Sequence, residues 1–266
     1  MEMFLGFSWA FLAQASLGAG NVLMKKGIAW LGWPGQKNSA YFRHLSTWLA
    51  GFLVMNASGL FVALAVRTVS PQLVSAFAGA GILVMILLAR LLLKEALYRT
   101  DLAGALLIVI ALALLGLSAP AAGHAPWLRP GLLFHLFAFL IPLLLLAAAR
   151  LWPGYAALLY ALCAGSSAGL LALLLKLLVV RHAYRLGEYL ASPYLYLYLF
   201  FALLALVALQ LALKRAALML VGPAQYAALV LFPPLCARLA GDALPAWHWP
   251  LYPAVALGAW IILRRR

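Results

Sequence analysis

Polar side chains are few in this chain, and two groups of them share one pattern. SLGAGNVLMK begins at Ser16 and SAGLLALLLK at Ser167, 151 positions later, and both read S-x-G, six residues, then K. On a helix, positions i, i+4, i+7 and i+11 share a face. Gln14, Gly18, Asn21 and Lys25 fall on one such face, and Gly165, Gly169, Ala172 and Lys176 on its counterpart, with Ser166 and Ser167 alongside. The chemistry on offer is binding: amides and hydroxyls orient a polar solute, and an ammonium attracts an anion. An amide in hydrocarbon is costly unless paired, which makes Gln14 and Asn21 candidates for lining a pathway. Two plainer readings stand beside this one. Small residues pack helices together, and Lys25 and Lys176 reach to opposite interfaces as long cations do. The candidate substrate-binding set is Gln14, Ser16, Asn21, Lys25, Asn56, Ser75, Ser167, Lys176, Gln225 and Tyr226. His135, near one end of its segment, reads as structural, and Pro233-Pro234 is expected to break the segment that holds it.

The acidic residues are Glu2, Glu95, Asp101, Glu188 and Asp242, all predicted to lie in a terminus or a loop. A proton relay normally needs a carboxylate or histidine within the membrane, and a Mg²⁺ site one or two carboxylates. Neither is available at mid-depth. There is no phosphate-binding loop, zinc motif or nucleophile with a base in sequence reach. No enzymatic activity, catalytic residue, metal ligand or cofactor is therefore expected. Cys163 and Cys236 read as ordinary buried thiols.

The elements that position these residues are apolar helices. Of 266 residues, 68% are hydrophobic and 9% charged, against about 45–50% apolar in soluble domains. Nine runs, near residues 4–24, 48–66, 71–93, 102–117, 131–149, 155–180, 194–213, 219–239 and 249–263, approach or exceed the length needed to cross a ~30 Å hydrocarbon core. The ninth is short. Period-2 alternation for a membrane barrel is absent, which leaves an all-α integral membrane protein. MEMFLGF lacks a basic region, so the first run reads as a retained helix. With the N-terminus outside, 13 of the 19 Lys and Arg fall on the inner side and six on the outer. The positive-inside rule then orients the chain N-out and C-in, as a multi-pass protein of the cell (inner or plasma) membrane. The net charge of +14 is mostly this topology signal, with membrane lipids as its partner. No nucleic-acid partner is expected.

VSP at Val69 and VGP at Val221 recur at nearly the same offset as the S-x-G pair. Segments one to four thus match six to nine: residues 1–120 form a first repeat, 121–153 a linking fifth helix, and 154–266 a second repeat. Five crossings between equivalent points invert the second half, an architecture common among secondary transporters.

Several short motifs carry a resemblance. They are KKG at Lys25, WLAG at Trp48, LVSAFAGAG at Leu73, LLLKEAL at Leu91, SAP at Ser118 and VGPAQY at Val221. On these the chain resembles the drug/metabolite transporter (EamA-like) superfamily, nearest its NIPA-like branch. That resemblance implies a nine-helix fold, alternating access and, for the branch, magnesium. Members that move magnesium carry a glutamate in the second helix, where this chain has Gly59. The leading expectation is a carrier of a small polar or amphiphilic solute, with the lysines favouring an anionic one. A lipid or polyprenyl-phosphate flippase, a Mg²⁺ transporter and a non-transporting assembly subunit are the alternatives, and a homodimer is compatible with each.

Overall fold

The structure is a computed structural model that describes residues 2–28, 39–65, 68, 77–117, 132–182, 186–239 and 250–264. The regular structure of the described residues is helical throughout. Long Leu, Ala and Val runs have no other open-ended way to pair their backbone groups in hydrocarbon. The helices are α1 (Glu2–Gly27), α2 (Ser39–Ala65), α3 (Ala78–Leu88), α4 (Arg99–Leu117), α5 (Leu132–Leu151), α6 (Ala156–His182), α7 (Leu186–Ala191), α8 (Pro193–Arg215), α9 (Leu218–Leu239) and α10 (Leu251–Leu263). Each of the nine expected segments contains a helix. The six-residue α7 is an addition that its sequence did not announce.

Among the described residues, Ser39–Ala65, Phe134–Leu151, Pro153–Leu175 and Pro193–Arg215 are long and apolar enough to cross a membrane. Ala78–Leu93, Leu218–Pro233 and Leu251–Ile262 are shorter apolar helices. Leu53, Leu60, Leu87, Leu106 and Leu203 stand on outer faces, each more than half exposed. So much outward leucine would be an aggregation hazard in water and is ordinary against lipid tails. The chain has the character of an all-α membrane protein.

The molecule divides into two compact units. The first comprises Met1–Ala122, Ala216–Pro223 and Trp247–Arg266. In it α1 packs along α2 and, on another face, against α3, while α4 lies against α3 and α10. Glycines set these crossings. A methyl group at Gly51 would sit 2.8 Å from the Gly20 carbonyl oxygen, and one at Gly104 would sit 2.5 Å from that of Gly258. Backbones this close gain dispersion along both helices, which lipid tails cannot match elsewhere.

The second unit comprises Gly123–Arg215 and Ala224–Ala246. Here α6 packs along α8 and α5. Phe139 stacks on Phe201 with ring centroids 5.6 Å apart, and Phe137 on Phe232 at 5.7 Å. His135 Nε2 lies 3.3 Å from Tyr194 Oη, between α5 and α8. The Cys163 thiol donates to the Pro142 carbonyl at 3.2 Å.

Two findings depart from the sequence reading. The compact units cut across the 1–120 and 154–266 halves, because α10 and the start of α9 pack with the N-terminal helices. Repeats are defined by chain order and packing by surface fit, so the two need not coincide. Nor does Pro233-Pro234 break α9, which runs unbroken over Leu218–Leu239. The absent side chain of Gly169 leaves room for the Pro233 ring, whose Cγ and Cδ would stand 2.9 and 3.0 Å from a methyl group there.

Candidate functional site

In the first unit the polar face of α1 is partly occupied by helix packing. A methyl group at Gly18, midway along that face, would overlap the Gly81 carbonyl oxygen of α3. One turn towards the N-terminus, Gln14 is half-buried, and its Oε1 is enclosed without a hydrogen-bond partner. Asn21 is fully buried, and Ser16 is half-buried. At the end of the face Lys25 donates from Nζ to the Ala216 carbonyl at 2.8 Å, so its ammonium is held within the protein.

Asn56 does not join this group. It stands on the exposed side of α2 and donates from Nδ2 to the Phe52 carbonyl of its own helix at 2.8 Å. An apolar helix gives no register by which its packed face can be read, which is why Asn56 resembled a lining residue. Gly59 is exposed on the same helix, with nothing within 4 Å of an added methyl group. Ser75 lies outside the described residues. Lys176 has its backbone in α6 and its side chain outside the described residues.

In the second unit α6 and α9 approach closely. A methyl group at Gly165 would overlap the Gln225 carbonyl oxygen, and one at Gly169 would meet the Leu229 carbonyl at 3.0 Å. Ser166 donates to the Cys163 carbonyl at 3.1 Å. Ser167 is fully buried beside Cys163, but the thiol proton is directed to Pro142, and no partner is in hydrogen-bonding geometry for Ser167 Oγ. Gln225 is buried, and Tyr226 is 1% exposed with its hydroxyl unpartnered. An unmade hydrogen bond of this kind costs about 1–3 kcal/mol.

One residue that the sequence reading assigned only to a loop has a defined place. Past α3 the chain tightens into a π-turn, Ala89–Leu93, closed by Lys94 at φ 55. Among the described residues this is the single non-glycine with positive φ. The turn brings Glu95 against the start of α9, where its two carboxylate oxygens accept from the amides of Leu218 (2.8 Å) and Met219 (2.9 Å). Those amides are among the orphan donors of any helix start, and the positive end of the helix dipole favours a carboxylate there. Glu95 is 123 positions from Leu218, so only its membership in LLLKEAL pointed to it.

Among the described residues the quoted motifs are contact elements, and SAP at 118–120 lies outside them. Gly27 of KKG lies against His44 and Trp48, next to WLAG; Gly79 of LVSAFAGAG lies against Val109; Gly222 of VGPAQY lies against the Met85 side chain. The described residues hold no group of three His, Cys, Asp or Glu able to bind a metal ion. Comparison with protein-family models, with curated proteins and with solved structures found no match to this chain.

Proposed function

We propose that the chain is a carrier of a small polar or amphiphilic solute, built as two inverted repeats of the drug/metabolite transporter type and working by alternating access. The observation that carries this reading is that the buried side-chain oxygens outside hydrogen-bonding geometry include Gln14 Oε1, Ser167 Oγ and Tyr226 Oη, within otherwise apolar helices; Thr100 Oγ1, in the first turn of α4, is another. Purely structural helices in lipid pair or omit such groups, whereas a binding site keeps them for its ligand. The repeat has support in packing. Gly18 meets Gly81 in one unit and Gly169 meets Pro233 in the other, and these pairs are related by the 151- and 152-residue offsets of the sequence motifs. The leading helix pairs also correspond, α1 with α2 and α6 with α8.

On this reading the chain lies in the cell membrane with its N-terminus outside. Gln14, Ser16, Asn21, Ser167, Gln225 and Tyr226 contribute to orienting the solute, and lipid surrounds the outward leucines. The magnesium branch of the resemblance is the weaker part. Gly59, where a glutamate would stand, faces outward and has no neighbours to complete a coordination shell.

The test is solute-dependent stabilisation and counterflow in proteoliposomes, screened across anionic, zwitterionic and cationic small molecules. A true substrate raises the unfolding midpoint of the parent protein and shows saturable counterflow. Tyr226→Phe should keep or raise the ligand-free stability, because it removes an unpaired hydroxyl, while weakening solute affinity by roughly tenfold for one lost hydrogen bond. A Tyr226→Phe protein that loses stability and keeps full solute affinity would refute the assignment.

A further inference from the structure

We propose that Lys25 and Glu95 form a charged clasp that holds the turn between α8 and α9 in the first unit, and that its release is the inner gating step of the carrier. The clasp is a matter of geometry alone; its role as a gate rests on the carrier reading.

Three contacts converge on the short segment from Ala216 to Met219. Lys25 Nζ gives a proton to the Ala216 carbonyl, and Glu95 takes the amide protons of Leu218 and Met219, one on each oxygen. The Glu95 charge also acts on the Lys25 ammonium. Arg90 steadies the loop from the other side, donating from its guanidinium to the Glu95 carbonyl at 3.4 Å. The backbone is arranged to deliver the carboxylate: a π-turn and a left-handed Lys94 are both uncommon for ordinary residues, and the second is strained. Strain of this kind persists where the surroundings over-determine it, and the capped amides of α9 supply that constraint.

What the clasp holds is also distinctive. Residues Ala216–Pro223 belong to the first unit, and the helix continues from Ala224 into the second. Met85 seats against Gly222, so the first turn and a half of α9 are fixed by α1, α3 and the Glu95 loop together. Opening therefore requires breaking two kinds of charge-assisted hydrogen bond together with the apolar contacts that bury Leu218, Met219 and Val221.

The clasp differs from an ordinary ion pair in one testable way. Lys25 addresses a carbonyl and Glu95 addresses amides. Exchanging the charges sets a carboxylate against a carbonyl and an ammonium against the positive helix end, which is unfavourable on both sides. A simple salt bridge would tolerate the exchange.

The experiment uses the full chain in nanodiscs, with Cys163 and Cys236 replaced by Ala and a reporter thiol introduced by Ala217→Cys. Maleimide labelling of that thiol is timed alongside sided flux. Lys25→Gln and Glu95→Gln should each speed labelling by about tenfold, and the double variant by little more, because either change frees the same turn. Lys25→Arg should label like the parent. The charge-exchanged pair, Lys25→Glu with Glu95→Lys, should label at least as fast as the single variants. The parent itself supplies a check that needs no variant: the Leu218 and Met219 amides should exchange hydrogen at least a hundredfold more slowly than an open helix start. Parental labelling rates in both single variants, restoration by the exchanged pair, or rapid exchange at Leu218 and Met219 would overturn the clasp. Faster labelling with unchanged flux kinetics on the inner side would overturn the gate while leaving the clasp in place. A parent without flux for any solute would count against the carrier reading, and with it the gate, while labelling and exchange would still decide the clasp.

Discussion

Replacing Gly18 by alanine tests whether α1 and α3 cross backbone to backbone. The added methyl group would overlap the Gly81 carbonyl oxygen and stand 3.2 Å from the Met85 amide nitrogen. Both obstacles are main chain, so neither can turn aside as a side-chain tip would, and the two helices have to part. Overpacking of this kind costs about 1–3 kcal/mol, and the rigid obstacle places Gly18 in the upper part of that range. Alanine recovers about 1 kcal/mol of helix propensity, which leaves a net destabilisation of about 1–2 kcal/mol. Gly59→Ala is the matched control. That glycine is exposed on α2 with nothing within 4 Å, so the same chemical change should stabilise by up to about 1 kcal/mol. Reversible unfolding in mixed micelles, followed by far-ultraviolet circular dichroism, should therefore separate the two variants by about 2–3 kcal/mol, with the parent between them. Coincident unfolding curves, or a Gly18→Ala protein more stable than Gly59→Ala, would show that α1 and α3 do not meet at Gly18.

Two further outcomes concern orientation and cargo. A reporter fused after Arg266 should be cytoplasmic and one placed before Glu2 should not; both ends on one side would remove the nine-crossing arrangement and the inversion with it. Proteoliposomes should show no saturable Mg²⁺ flux at physiological concentration, since no carboxylate is expected at mid-depth and Gly59 stands exposed on α2, and a robust Mg²⁺-specific current would show that amides and carbonyls suffice.

The helical class was legible because apolar runs of this length have few alternatives, and the two S-x-G motifs located real crossings at Gly18 and Gly169. Their lysines were harder. Whether a lysine at a helix end reaches to the interface or grips a carbonyl depends on its neighbours, and the neighbour of Lys25 is Ala216, 191 positions away. Glu95 was hidden for the same reason: a loop carboxylate and a helix cap look alike until the helix start is placed beside it. Asn56 went the other way. Its side chain is satisfied by its own helix, a local bond that any intramembrane asparagine can make and that carries no information about a pathway. The packing of α10 on α4 through Gly258 and Gly104 was equally out of reach, because two uniformly apolar surfaces advertise no preference for each other.

The two adjacent prolines of α9 have a mechanical consequence. Lacking N–H groups, Pro233 and Pro234 remove two rungs from the helical ladder, so the Leu229 carbonyl that points towards Gly169 has no helical donor of its own. A rod with missing rungs is less stiff at that point than along the rest of its length. Pro223 removes a single rung nearer the start of α9, the one to the Met219 carbonyl, whereas past Leu229 two consecutive rungs are missing, so flexure concentrates there, where bending forfeits fewer bonds. Elastic compliance is thereby assigned by sequence to one turn of one helix, next to a glycine that has no side chain to resist it.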